Sequence, residues 1–255
     1  MSQLRYVKTN EQLIEAAEKN LEFFDAKMHA IKAWYKTEPG LIEKLIPAPL
    51  QVHADPMVRI VISRVFVDLM GGMEFGAATF GVNCMYEGKE GIYEITMPME
   101  TEGVVVGGRE TYGEPKKIAD VTASKDGDDC VATVTRHGIT YLELKGKTGE
   151  SLETGSFTDD VYCFKAFPSC EKDKPADQNP LLVRINMHRT QSVHMALDGE
   201  IILRESPMDP VIDLPVKEMV SLTWEEGTSS SNASVVAEVD AMSYVPFMHS
   251  RYDSV

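Results

Sequence analysis

Short runs rich in Val, Ile, Thr and aromatic residues, each closed by a tight polar turn, constrain this chain more than any other feature. Met57 to Val67, Ala77 to Tyr86, Ile92 to Met97, Gly103 to Arg109, Cys130 to Thr135 and Gly138 to Leu144 have this texture. EGKEG, ASKDGDD and the Arg136-His137-Gly138 corner separate them. Further strands are expected at Asp160 to Phe164, Leu181 to Met187, Thr190 to Ala196, Glu200 to Leu203 and Ser234 to Met242. Many short strands with tight turns predict a mainly β (α+β) fold with a largely antiparallel sheet, closed as a barrel or packed as a sandwich. Asn10 is the expected cap of an amphipathic helix to about Phe24, and EPGLIEKLI predicts a second short helix stopped by Pro47 and Pro49. PSCEKDKPADQNP (168–180) and EEGTSSSNA (225–233) read as polar surface loops. With 255 residues, 43% of them hydrophobic, the chain is expected to form one domain over 1–255.

Charge removes several function classes. Forty Asp and Glu against 25 Lys and Arg leave a net charge of -15, the wrong sign for a surface that neutralises phosphates, so no nucleic-acid partner is expected. The N-terminal segment has no apolar signal-type core, and no apolar stretch has the length of a membrane span, so a cytoplasmic protein is expected. Cys84, Cys130, Cys163 and Cys170 lie far apart and read as reduced thiols. His188 and His194 flank a turn-like Arg189-Thr190, but no third ligand sits at metal spacing, so no metal and no cofactor is expected. His29 is a weaker candidate for a pocket wall beside Met28.

The chemistry is expected in GRETYGEPKKIA, residues 108–119. A lysine amine is a nucleophile only when unprotonated, and desolvation or a nearby cation favours the neutral form. On an extended strand, Lys116 and Lys117 leave opposite faces, which separates their charges and makes burial the larger influence. By composition alone the pair reads equally as a solvated strand end.

GRETYGEPKK resembles the signature segment of the acetoacetate decarboxylase-like superfamily. Leu45-Ile46-Pro47-Ala48-Pro49-Leu50, Asp55-Pro56-Met57-Val58-Arg59 and Asp213-Leu214-Pro215-Val216-Lys217-Glu218-Met219-Val220-Ser221 resemble further blocks of that family in the same order. The resemblance implies a β-cone or barrel with a small flanking sheet and a few helices, in oligomers built from dimers. It also implies that Lys116 forms an imine with substrate and that Lys117 helps to tune it.

The chain departs from the decarboxylase pattern. Counted without gaps, the family's early arginine falls on Met28 and one of its glutamates on Val61, while a second glutamate is retained as Glu74. Glu114 stands just before Pro-Lys-Lys, and Arg109, Tyr112, Met28 and Val61 are candidate substrate-binding residues. Arg109 or Arg5 are candidates to replace the missing guanidinium, and Arg109 with Glu110 reads equally as a structural ion pair. Carboxylates at Glu74 and Glu114 beside an imine suit proton transfer. Family members lacking the arginine resemble pyruvate aldolase-dehydratases, so the expected activity is that of a lyase on a small oxo acid, with an aldehyde as co-substrate, or hydration of an unsaturated 2-oxo acid. A 3-oxo acid decarboxylase and a non-catalytic small-molecule binder are the alternatives.

Overall fold

The computed structural model describes residues 6–21, 26–68, 72–248 and 251–253. The strands are β1 (Ala26–Lys36), β2 (Gln51–Val52), β3 (Val58–Val67), β4 (Met73–Tyr86), β5 (Lys89–Met99), β6 (Lys116–Ile118), β7 (Asp120–Asp126), β8 (Asp129–Arg136), β9 (Ile139–Ser151), β10 (Ser156–Lys165), β11 (Leu181–Leu203) and β12 (Glu218–Glu238). They form a 12-stranded sheet whose main path runs β10-β5-β4-β3-β1-β12-β11-β9-β8-β7, with β2 paired to β4 and β6 to β5 off that path. An additional β10–β11 pairing closes β10, β5, β4, β3, β1, β12 and β11 into a ring. The fold is therefore a mainly β barrel with β9, β8 and β7 as a flanking sheet. Its pairing is antiparallel except at β10–β5 and β5–β6, which are parallel.

Side-chain alternation along these strands makes two cores. Phe75, Ala77, Met97, Met99, Val161, Cys163, Val183 and Ile185 fill part of the barrel interior. Ile31, Ile60, Ile62, Phe80, Val121, Val134, Leu144 and Trp224 belong to the larger cluster, between the barrel wall and the flanking sheet. His29 points to that second side, stacked on Trp224 with ring centroids 5.2 Å apart and with Nε2 3.1 Å from the Ala123 carbonyl oxygen. It does not line the barrel interior.

Several elements differ from expectation. The segment from Gly103 to Arg109 is not a strand: it lies in helix α2 (Glu102–Tyr112). Its Val104-Val105-Val106 run has strand propensity, but Val104 and Val105 pack on the barrel core, so tertiary packing overrides local preference. The expected loop at Glu225 to Ala233 is the middle of β12, whose Ser and Thr residues pair with β11 and whose Glu225 to Ser229 pair with β1. Backbone pairing on both sides holds this polar stretch extended. The three separate segments expected between 181 and 203 are one strand, β11, with bulges at Leu182/Val183, Gln191/Val193 and Met195/Leu197. Arg189-Thr190 is therefore mid-strand. The segment Ser234 to Met242 is strand only to Glu238, and helix α3 (Ala241–Met248) follows.

The first helix, α1 (Asn10–Leu21), is capped by Thr9: its Oγ1 accepts from Gln12 N at 3.3 Å, and Gln12 Oε1 accepts from Thr9 N at 3.0 Å. This is a capping box one residue before the expected cap. The end expected at Phe24 lies outside the described residues. The second expected helix is a single 3-10 turn, Ile42–Lys44. Cys84, Cys130 and Cys163 are buried, whereas Cys170 is exposed on the 168–180 loop.

Candidate active site

Strand β6 places the two lysines. It runs parallel to β5 with Lys116 opposite Met97 and Lys117 opposite Pro98. Met97 belongs to the barrel interior, so Lys116 faces inward and Lys117 faces the flanking sheet. The approach to β6 is fixed by the end of α2. Gly113 takes φ +72, where its N–H bonds the Arg109 and Gly108 carbonyls, a left-handed cap that glycine adopts without a Cβ penalty. Gly108 permits the close approach itself, since a Cβ there would meet Glu114 Oε2 and stand 2.6 Å from Lys116 Nζ.

Inside the barrel, Lys116 Nζ lies 2.7 Å from Glu114 Oε2, with side-chain exposures of 10% and 11%. The pair is at hydrogen-bonding distance without hydrogen-bonding alignment, and Oε2 has no other partner. Cys163 lies beside this pair; burial, with Glu114 and Glu94 adding to it, pushes its thiol pKa well up.

The same interior holds a network that sequence reading missed. Arg59 donates from Nη2 to Glu94 Oε1 at 2.5 Å, and its Nη1 is 3.8 Å from Asp159. Arg189 Nε is 3.6 Å from Asp159, and Lys32 is 3.6 Å from Glu225. Burial raises the Glu94 carboxyl pKa, opposed by Arg59. Burial lowers the pKa of Arg189 and of Lys32, with neighbouring arginines acting in the same direction. Arg59 Nε, Arg189 Nε and Glu94 Oε2 are buried without hydrogen-bond partners, so this network has unused donors and an unused acceptor. The available signal was period-2 alternation: Arg59 shares a face with Val61 and Ser63, in a strand whose first six residues are apolar except for Arg59 and Ser63.

The sequence-predicted residues separate into two groups. Met28 and Val61 both face the interior, Val61 opposite Lys32 in the β1–β3 pairing. Arg189 Nη1 is 3.8 Å from Met28 Sδ, so a guanidinium from β11 stands beside the position where the arginine was missing. Arg5, another candidate for that role, lies outside the described residues. Arg189, Met28 and Glu225 line a depression of about 10 Å³ at one end of this network.

Glu74 is not brought to Lys116. It alternates with Gly76, Ala78 and Phe80 on the other face of β4, and Oε1 accepts from Arg64 at 2.8 Å and 3.1 Å. Its side chain is 49% exposed. Arg109 does not face the interior either: its Nη1 bonds the carbonyls of Lys116 and Arg251, both at 3.1 Å, and its guanidinium sits 5.3 Å from the Tyr252 ring. It positions the β6 backbone, and no Arg109–Glu110 ion pair forms among the described residues. Tyr112 is 40% exposed near the end of α2.

Lys117 is a different case. Its Nζ donates to the Met208 carbonyl at 2.8 Å and to Asp209 Oδ1 at 3.2 Å, and stands 3.4 Å from Asp253. Arg136 shares both carboxylates, at 2.7 Å to Asp209 and 2.6 Å to Asp253. Arg136 first, against the effect of burial, holds the Asp253 carboxyl well below the usual range. Among the described residues no three His, Cys, Asp or Glu are placed to hold a metal, and no helix is long and apolar enough to cross a membrane. His194 instead has Nδ1 2.9 Å from the Glu153 carbonyl oxygen and Nε2 3.8 Å from Glu225.

Comparison with known proteins agrees with this architecture. The chain is 27% identical over 199 residues to acetoacetate decarboxylase 1 of Mesorhizobium japonicum, covering 73% of this chain and 76% of that one. The crystal structure of acetoacetate decarboxylase from Legionella pneumophila superposes with a TM-score of 0.74 at 18% identity, covering 93% of each chain. The enduracididine biosynthesis enzyme MppR complexed with pyruvate superposes with a TM-score of 0.72 at 14% identity, covering 85% of this chain and 91% of that one. The family described as acetoacetate decarboxylase (ADC) matches residues 12–239, and the chain belongs to that family.

Proposed function

We propose that the protein is a Schiff-base lyase acting on small 2-oxo acids, of the pyruvate aldolase-dehydratase type, with Lys116 as the imine-forming amine. The observation that carries this reading is the enclosed Lys116–Glu114 pair, with Nζ and Oε2 2.7 Å apart inside the barrel. The amine adds to C2 of pyruvate and the carbonyl oxygen leaves as water, forming an imine. Glu114, next to the nitrogen, takes a proton from C3, and the electron pair moves into an enamine. C3 attacks the carbonyl carbon of an aldehyde, and the new alkoxide is protonated. Glu114, having given its proton to the alkoxide, takes one of the two protons left on C3 and relays it to the hydroxyl, which leaves as water, and the C3 electron pair forms the double bond of an unsaturated imine. Hydrolysis then returns the lysine and an unsaturated 2-oxo acid.

Arg59 and Arg189, on the same interior face, supply cations for the substrate carboxylate. Support also comes from the replacement of arginine and glutamate by Met28 and Val61, and from the likeness to MppR, a protein seen with pyruvate. A second reading, decarboxylation of a 3-oxo acid, is favoured by the decarboxylase names of the sequence relatives and by the guanidinium beside Met28.

Borohydride reduction in the presence of pyruvate tests the proposal. One reduced pyruvyl adduct is expected on the intact wild-type chain and none on Lys116→Ala. No adduct on wild type, or one that persists in Lys116→Ala, overturns the assignment. Parallel incubations with acetoacetate and with pyruvate plus an aldehyde separate the two readings, and brisk carbon dioxide release from acetoacetate selects the second.

A further inference from the structure

The interior charges fall into pairs: Lys116 with Glu114, Arg59 with Glu94, Lys32 with Glu225 and Arg189 with Asp159. Three of these carboxylates are enclosed, with side-chain exposures of 11% for Glu114, 1% for Glu94 and 11% for Glu225. Asp159 differs, at 30%. It still belongs to the inner face of β10, where it alternates with Val161 and Cys163 of the interior core.

Asp159 is also loosely held. Its Oδ2 lies 3.6 Å from Arg189 Nε and 3.8 Å from Arg59 Nη1, between two guanidiniums and beyond hydrogen-bonding distance of both. Arg59 Nε and Arg189 Nε are left without hydrogen-bond partners. Two neighbouring cations repel, so an anion between them is favourable, and it serves best in charge-assisted bonds of about 2.7–2.9 Å. A short side chain anchored to a paired strand stops short of that distance. A carboxylate free of the chain does not.

We infer that Asp159 is an internal stand-in for the substrate carboxylate. It neutralises Arg59 and Arg189 until the carboxylate of an oxo acid takes its place, and then turns to the solvent it already touches. One monoanion replaces another, so the interior stays balanced, and a neutral ketone has nothing with which to displace it. Asp159 thereby sets the affinity of the carboxylate site proposed above, and its role rests on that reading.

Two conservative variants should move binding in opposite directions. Asp159→Asn removes the competing charge and is expected to lower the half-saturating pyruvate concentration in borohydride trapping about 5-fold. Asp159→Glu keeps the charge and adds a methylene that brings the carboxylate within bonding distance of the arginines, and is expected to raise that concentration about 5-fold. Pyruvamide, which keeps the ketone and lacks the carboxylate, should half-saturate all three proteins within about 2-fold of one another. An aspartate that only supported the fold would give no tightening in either variant.

The inference is overturned if Asp159→Asn takes pyruvate no more tightly than wild type, if Asp159→Glu takes it no more weakly, or if pyruvamide follows the same order. Should wild type give no adduct, the imine on Lys116 fails instead. Calorimetric titration with pyruvate, which needs no imine, then reads the same order, and an absent order there overturns the role of Asp159 too. Asp159→Glu decides alone if Asp159→Asn does not fold.

Discussion

Lys116 and Lys117 leave the same short strand in opposite directions, and they meet different kinds of partner. Among the described residues, Lys116 has one carboxylate at ion-pair distance, misaligned for a hydrogen bond, inside a barrel whose charges are incompletely satisfied. Lys117 is bonded to a carbonyl and to Asp209, which Arg136 also binds, with Asp253 closing the cluster. The Lys117 cluster is organised as a support, with its donors and acceptors assigned. The Lys116 side leaves a proton acceptor and guanidinium donors free, which is a poor way to stabilise a fold and a useful way to bind and turn over a polar substrate. The contrast also limits what Lys117 does for Lys116. Its charge is balanced locally by Asp209, so its contribution lies more in holding β6 than in a bare cationic field.

The largest effect that would sharpen this contrast is on stability. Asp209→Ala removes the carboxylate shared by two buried cations and is expected to cost about 3–5 kcal/mol. Chemical denaturation measures it, and a loss below about 1 kcal/mol would mean the Lys117 side is not the support described. Glu114→Gln attacks the other side. It is expected to lower kcat about 10²-fold, the low end for a lost general acid-base, while changing unfolding free energy by less than about 1 kcal/mol. An equal activity loss with a large stability loss would place Glu114 among the structural groups and erase the distinction.

The smallest effect is a pH signature. Asp253 has its folded pKa depressed by Arg136, so the stabilisation it supplies is present above the unfolded carboxylate value near 3.9 and is lost as pH falls through the lower folded value. Asp253→Asn should therefore be less stable than wild type at neutral pH by about 1 kcal/mol, discounted because the side chain is 36% exposed, and the gap should close in acid. Denaturation midpoints for both proteins at neutral pH and below pH 4 measure the closure. A gap that stays constant, or widens in acid, would remove the Asp253 half of the support.

Much of the fold was legible locally. Alternating apolar runs marked most barrel strands, and the opposite directions of Lys116 and Lys117 followed from a two-residue period alone. The failures were at positions where neighbours overrule local texture. Val104 and Val105 sit in a helix because they cap a core, and the serine-rich stretch of β12 is strand because β11 and β1 both bond to it. The carry-over of Glu74 failed for a related reason. A conservative match in a motif does not tell which face of a strand a side chain takes, and β4 turns Glu74 toward Arg64.

By itself, the sequence determined the fold class, the family segment around Lys116 and the acidic character of the surface, because these rest on composition, periodicity and short ordered motifs. The tertiary structure decided the rest: that Glu114 rather than Glu74 meets the amine, that Arg189 comes to Met28 from a strand far along the chain, and that Asp209 claims Lys117. Arg189 with Met28 and Asp209 with Lys117 are meetings of residues distant in sequence, and even the near neighbours Glu114 and Lys116 share the interior only because the closing ring fixes which face of β6 goes inside.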